Sequence, residues 1–357
     1  MLKKLVILFS AVVFIFSYNV QAQSLEQTLS NLSSTAGSAY VKPVISAFGS
    51  NLNSGWVSKL PSATKVGFHF DLKIIAAGSL FDDDDKKFIT QGKFFFDGRQ
   101  VDQILSASGY TSSSQGYTQL KNEMLKTEFD VSMNGPTIVG SKNEKLNIVF
   151  PRKTISASGQ NYTVNEYTLA IDEVKGLLDE LPILPQPGIQ ASVGTVMGTN
   201  VSVRYSPKIK INDDLGDFSL IGFGLIHNPS AFFPVPLPVD LGVGYFTQTL
   251  KVGEIFESSA SQFGLYVGKT FGFGISISPF AGMIFEKSNT KVEYNYQSNQ
   301  TVNGVPVPTA KVKFDLDGEN KTGFVVGFNL KLAVLNIFAD YKAAATKTAT
   351  AGISFGF

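Results

Sequence analysis

The chain holds two histidines and no cysteine, so few of its residues can carry proton-transfer or thiolate chemistry. His69 and Asp71 stand two apart, on one face of an extended segment, where a carboxylate could orient an imidazole for nucleophilic catalysis. Serines are spread through the whole chain, and none stands in a distinctive setting beside that pair. His69, Asp71 and Lys73 therefore read as interior polar residues, and no catalytic residue is assigned. The run Asp82–Asp85 could attract a hard cation, but it lacks the alternating ligands and central glycine of a calcium loop. It reads as a solvated loop, and no metal ligand or cofactor site is assigned. Gly222-Phe223-Gly224 and Phe271-Gly272-Phe273-Gly274 lie in alternating strands and lead into no Gly-Lys-Ser/Thr, so they are small inward residues rather than phosphate cradles. Lys121, Lys126 and Arg152 form no basic face, and a net charge of +1 gives no footprint for a nucleic-acid partner.

The elements that carry these residues alternate with a period of two. Val66, Phe68, Phe70, Leu72 and Ile74 form one column of the strand Lys65–Ala76; Gly67, His69, Asp71 and Lys73 form the other. At the end of the chain, Phe357, Phe355, Ile353, Ala351 and Ala349 face one way, while Gly356, Ser354, Gly352, Thr350 and Thr348 face the other. Charged residues on a lipid-facing column would cost about 2–4 kcal/mol each near the midplane, whereas an inner face can satisfy them. Similar strands follow at 189–198, 200–206, 217–226, 239–250, 261–270, 272–284, 290–297, 309–317, 322–331 and 333–342. The fold class is an all-β, transmembrane antiparallel β-barrel of about fourteen strands, with twelve to sixteen also fitting. Residues 79–190 are less regular: 93–103, 125–132, 146–153 and 162–171 read as strands between polar loops, either as wall strands joined by long surface loops or as a part folded over the mouth.

Composition agrees. The chain is 43% hydrophobic and 12% aromatic but only 17% charged, against about a quarter for a typical soluble surface. Thirty phenylalanines need a lipid face or a very large core. Lys3 and Lys4, the apolar stretch Leu5–Phe16 and the small residues Val20 and Ala22 predict a secretory signal peptide over residues 1–22. Its removal takes away two lysines and turns the net charge from +1 to −1. No later run is apolar for long enough to form a membrane-spanning helix.

Between signal and barrel, residues 23–60 read differently. Ala36, Ala39, Tyr40, Pro43, Val44, Ala47, Phe48 and Leu52 recur at helical spacing, which predicts a helix over Ser34–Asn53 kinked or restarted at Pro43. It would plug the lumen or its periplasmic mouth, with 61–357 forming the barrel. Trp56, the single tryptophan, would mark an interface girdle. Phe232 and Phe233 precede Pro234, Pro236 and Pro238, a stiff connector that could line the mouth or be clamped at the membrane interface.

Gln190–Pro207 (QASVGTVMGTNVSVRYSP), Gly222-Phe223-Gly224 with His227, Leu237–Gly242 (LPVDLG) and Ser38–Trp56 together resemble an uncharacterised family of Bacteroidota outer-membrane β-barrels. That family is in turn distantly similar to the FadL/toluene-transporter group of hydrophobic-compound channels. The resemblance implies a porin-like channel for small hydrophobic molecules, passing a luminal hatch, without enzymatic activity. In that group an asparagine-proline-alanine motif marks the hatch; Asn51-Leu52-Asn53 stands near its place without the proline and alanine. Tyr40, Phe48, Phe232 and Phe233 are the candidate ligand contacts. Outer-membrane lipid or lipopolysaccharide and the barrel-assembly machinery, which reads a terminal aromatic such as Phe357, are the implied partners. The alternative is a non-transporting barrel that anchors or scaffolds an envelope complex.

Overall fold

Ten strands follow one another around a closed ring. They are β1 (His69–Leu80), β2 (Ile183–Gly194), β3 (Thr199–Asn212), β4 (Gly216–His227), β5 (Asp240–Val252), β6 (Phe256–Gly268), β7 (Ile275–Tyr296), β8 (Thr322–Leu332), β9 (Leu335–Ala343) and β10 (Thr348–Gly356). Each pairs antiparallel with the next, and β10 returns to β1 in a register running from Asp71↔Gly356 to Ser79↔Thr348. Closure satisfies the backbone groups that hydrocarbon cannot, so the sheet needs no open edge in the bilayer. This computed structural model describes residues 34–357 apart from 64–67, 173, 179–180, 195–196, 213–215, 236, 255, 297–300, 303–304, 307–309 and 357. The expected signal peptide, the column residues Val66 and Gly67, and Phe357 lie outside the described residues.

Among the described residues the sheet has twelve strands, ten closing the ring and two pairing outside it, at the lower end of the twelve to sixteen expected. The predicted segments 272–284 and 290–297 are one strand, β7, of 22 residues. Its far half pairs with Ala310–Asp317, and Phe271–Phe273 pairs with its start, both without entering the ring. Residues predicted as strand over 93–103 belong largely to a helix, Gly98–Ala107, which Asp97 caps by accepting from the Gln100 amide at 2.8 Å. Sequence alternation locates strands but does not say which partner each one takes.

On the ring itself the two-column rule holds. Along β10, Ile353 and Phe355 are exposed while Thr350 and Ser354 are buried. On β4, Ile221, Phe223 and Leu225 point out between inward Gly222 and Gly224. On β8, Phe324, Val326 and Phe328 point out between buried Val325 and Asn329.

The described chain divides into two compact units, one of residues 44–81 and 182–357, the other of residues 34–43 and 82–181. Helix α1 (Ser34–Leu52) crosses that division at Pro43. The second unit has a four-stranded sheet in the order Lys87–Phe94, Phe129–Pro136, Leu146–Phe150, Tyr167–Ile171, a hairpin of Lys153–Ala157 with Gln160–Val164, and helices α2 (Gly98–Ala107) and α3 (Tyr117–Lys126). Its interior is apolar. Phe150 meets Phe96 and Phe129 edge-on at 5.8 and 5.1 Å, and Phe96 lies tilted against Phe129 at 5.9 Å, beside buried Leu105, Leu120 and Met124. Across α2 and α3, Tyr117 donates to Asp102 at 2.5 Å and Lys121 pairs with it at 2.6 Å. These bonds hold the Asp102 carboxyl below the ordinary carboxylate range. Asp82–Asp85, the acidic run, forms a capped single turn in which Asp83 pairs with Lys86.

Candidate functional site

The interior of the ring is the place where polar chemistry converges. Alternation sends Asp71, Lys73, Gln190, Arg204, Gln248, Glu286, Asp340 and Lys342 inward from six different strands and buries all of them. The second half of α1 and the residues after it, 44–61, meet this lining. Their small side chains suit the narrow space: at Gly49 a Cβ would collide with the Ser288 hydroxyl of β7. The helix ends at Leu52 and the chain turns through Gly55, whose φ of +68° lies in the left-handed region.

A helix end leaves carbonyl oxygens without intrahelical partners, and cations favour that end of the macrodipole. Here wall residues supply the donors. Lys342 donates to the Ser50 carbonyl at 2.8 Å, Arg204 to those of Leu52 at 3.5 Å and Ser54 at 2.9 Å, and Gln248 also to Leu52. Lys73 and Gln190 reach the Trp56 carbonyl at 3.4 and 3.2 Å. Closer to the start of the segment, Ser50 shares a 2.6 Å bond with Thr348, and Asn51 donates to the Leu184 carbonyl at 2.7 Å. Lys342 also pairs with Glu286 at 2.7 Å, with 2% and 1% of the two side chains exposed. Removing either partner would strand a charge, which typically costs about 3–5 kcal/mol.

Beyond the polar zone comes an apolar one. Trp56 lies stacked on Phe246 at 5.2 Å, beneath the Arg204 guanidinium at 3.8 Å. Gly222 and Gly224 leave room for the indole, since a Cβ on either would stand 3.1 Å from its ring atoms. Val57, Leu60, Ile226, Tyr266, Phe280, Ile284 and Val325 complete this cluster. Trp56 is thus a lumen residue and not the interface marker expected from the sequence. Small cavities of about 20 Å³ beside Gln262, Asp340 and Lys342 and about 10 Å³ beside Gln186 and Gln248 lie in this lining. Spaces of this size hold roughly one water molecule.

The residues singled out from the sequence fall in separate places. Asp71 and Lys73 are buried in the lumen, while His69 stands exposed at the start of β1. Tyr40 is buried in the second unit and donates to the Lys175 carbonyl at 2.8 Å. Phe48 packs on Phe256 at 5.0 Å in the barrel unit. Phe232 and Phe233 are exposed after β4, where Phe232 lies 5.4 Å from His227. Arg204, Glu286, Asp340 and Lys342 were missed, although each is a charged residue on the inward column of an alternating strand, the signal that selected Asp71 and Lys73.

An antiparallel ring with an apolar exterior and a polar, filled interior belongs in the bacterial outer membrane. The profile of a family of unknown function, DUF6588, matches residues 1–357, and the chain belongs to that family. No functionally curated protein matches it. Among solved structures, the beta domain of the Bordetella autotransporter BrkA is 11% identical, with 82% of this chain and 100% of that one covered at a TM-score of 0.29. A loop-deletion mutant of OmpT, an outer-membrane protein of Vibrio cholerae, is 9% identical over 83% and 100%, at 0.23. The transport unit of the autotransporter AIDA-I from Escherichia coli is 7% identical over 88% and 98%, at 0.25. Such scores are too low to equate folds, and the barrel rests on its own strand pairing.

Proposed function

We propose that the protein is a non-transporting outer-membrane barrel whose task is to anchor the residues inserted between β1 and β2. The observation that carries this reading is the filled lumen. Residues 44–61 are bonded to the wall along their length, and the chain on either side of them is itself held. On the N-terminal side, Tyr40 belongs to the second unit, where its carbonyl accepts from the Ile138 amide at 2.9 Å. On the other side, the Pro61 carbonyl accepts from Asn228 at 2.8 Å before β1 begins. The wall bonds at Ala47, Ser50, Leu52, Ser54 and Trp56, with that at Pro61, favour a fixed segment over a hinged lid. No catalysis and no cofactor enter this role; outer-membrane lipid covers the outward columns, and the barrel-assembly machinery is the assembly partner. The test is solute flux through the intact protein in liposomes, with a panel of hydrophobic and hydrophilic solutes. Flux at the level of empty liposomes is expected, and sustained passage of any solute overturns the reading.

The hydrophilic lining favours a second reading, a channel shut by residues 44–61 as a hatch. Small hydrophobic compounds, the class implied by the FadL resemblance, would then meet Phe232 and Phe233 at the mouth where Asn228 holds Pro61. Deleting residues 35–53 discriminates: a sharp rise in permeation through a barrel that still folds supports the hatch.

A further inference from the structure

We infer that the chain is threaded through its own barrel, so that Thr35–Pro43 and residues 82–181 are carried on the cell-exterior side of the outer membrane. The inference rests on the barrel reading and not on whether solutes pass. Contacts inside the barrel unit give the direction of the luminal segment. Leu80, Ile183, Ala343 and Thr348 surround one mouth, by the pairings Leu80↔Ile183, Ser79↔Thr348 and Lys342↔Thr348. At that mouth Ser79 donates to the Ala47 carbonyl at 3.1 Å, and Ser50 donates to the Thr346 carbonyl at 3.1 Å. Midway, Ser54 and Trp56 meet Arg204. At the other mouth, Leu60 lies against Gly242 and Gly268, near the start of β5 and the end of β6, and Asn228 holds Pro61. The chain thus enters at the first mouth and leaves at the second. It then turns back along β1 toward the first mouth.

The wall encloses this path, because the β1–β10 pairing leaves no gap in the ring. The end of β10 lies at the second mouth, where Gly356 pairs with Asp71. N-terminal and C-terminal portions therefore emerge on opposite sides. Connection lengths orient the barrel. At the second mouth β8 ends at Leu332 and β9 begins at Leu335, β2 is joined to β3 between Gly194 and Thr199, β6 to β7 between Gly268 and Ile275, and β4 to β5, the longest of these, between His227 and Asp240. The first mouth carries the two longest connections, Leu80 to Ile183 and Tyr296 to Thr322. Outer-membrane barrels keep short turns in the periplasm and long loops outside. The first mouth is the outer one.

The protein has no native cysteine, so single substitutions report sidedness directly. Thr35→Cys, Asp84→Cys and Lys269→Cys alter exposed positions of the full chain and are treated with a membrane-impermeant maleimide on intact cells. The expected result is reaction at positions 35 and 84 in intact cells, and at 269 only after the outer membrane is permeabilised. Reaction at 269 with protection at 35 and 84 overturns the orientation. Reaction at 84 with protection at 35 overturns the threading. If all three react only after permeabilisation, display on the surface is overturned. Heat-modifiable migration of each variant verifies that it has folded. Solute flux found alongside the expected labelling would sink the non-transporting role and leave the threading intact.

Discussion

The lumen of the barrel and the interior of residues 82–181 are both hidden from water, yet the lumen has a buried polar zone beside its apolar one and the interior of 82–181 is almost wholly apolar. In the lumen, Ser50, Asn51, Arg204, Gln248, Glu286, Lys342 and Thr348 are buried. Among the described residues 82–181, Thr137 is the one buried polar side chain, set among Phe129, Phe150, Leu105, Met124 and similar residues. The inserted unit gains stability by removing apolar surface from water. The barrel wall spends its apolar residues on its outer face, where lipid covers them, and an inner face of the same kind would leave each strand apolar on both sides and prone to aggregate before insertion. A polar inner face stays hydrated until residues 44–61 arrive. It then holds them by hydrogen bonds that replace those to water, each with a modest net gain of about 0.5–1.5 kcal/mol.

This contrast can be broken at both sites. Glu286→Ala leaves the Lys342 ammonium buried without its carboxylate, an expected loss of about 3–5 kcal/mol. Urea unfolding, followed by the loss of heat-modifiable migration, measures it. Glu286→Leu combined with Lys342→Met removes both charges and should recover most of that loss; no recovery would mean that the pair's role is not local charge balance. In the inserted unit, Phe150→Ala opens a cavity in an apolar core and should also cost about 3–5 kcal/mol. Limited proteolysis should then cut within 82–181 while the barrel keeps its folded migration. Joint unfolding of both would erase the distinction between the two interiors.

Gly224→Val sharpens the comparison from the lumen side. Its Cβ would press on the Trp56 indole and on Phe246, and overpacking of this kind costs about 1–3 kcal/mol. Quenching of the single tryptophan by acrylamide should increase in the variant; an unchanged signal would show that Trp56 does not depend on that close seat. The smallest effect is expected at Asp102→Asn, whose side chain is 45% exposed. A partly solvent-screened pair is worth at most about 1 kcal/mol. Because its partners depress the folded-state carboxyl below its usual range, the contribution is full at neutral pH. It fades as the pH falls through that depressed value. Wild type and variant should therefore unfold alike at pH 2 and differ slightly at pH 7, as read by urea melts of the α2–α3 region.

Much of the barrel was legible because lipid on one face and polar contacts on the other impose a two-residue rhythm. The columns at Phe324–Phe328 and Ile353–Phe355 carry it without interruption. Helix α1 was legible from the spacing of Ala36, Tyr40, Ala47 and Leu52. Within 82–181 strands were legible at 125–132, 146–153 and 162–171, but not their separate sheet, because strands such as Phe129–Pro136 alternate in a soluble sheet much as in a membrane wall. The role of Trp56 was misread for a related reason: an aromatic residue suits an interface or an interior equally well, and the glycines beneath it are remote in sequence. The Arg204 and Lys342 grip on α1 needed the register of strands far apart in the chain.

The β1–β10 seam has a consequence for the order of assembly. The two strands that close the ring come from the beginning and the end of the barrel sequence, so the wall can remain open until the last strand arrives. Once the seam is made, residues 44–61 can reach their place only if everything before them is pulled unfolded through the ring. Laying that segment against the inner face first avoids the passage, and the closing strands then lock over it. Time, in this protein, is written into the seam: the guest has to be seated before the door is shut.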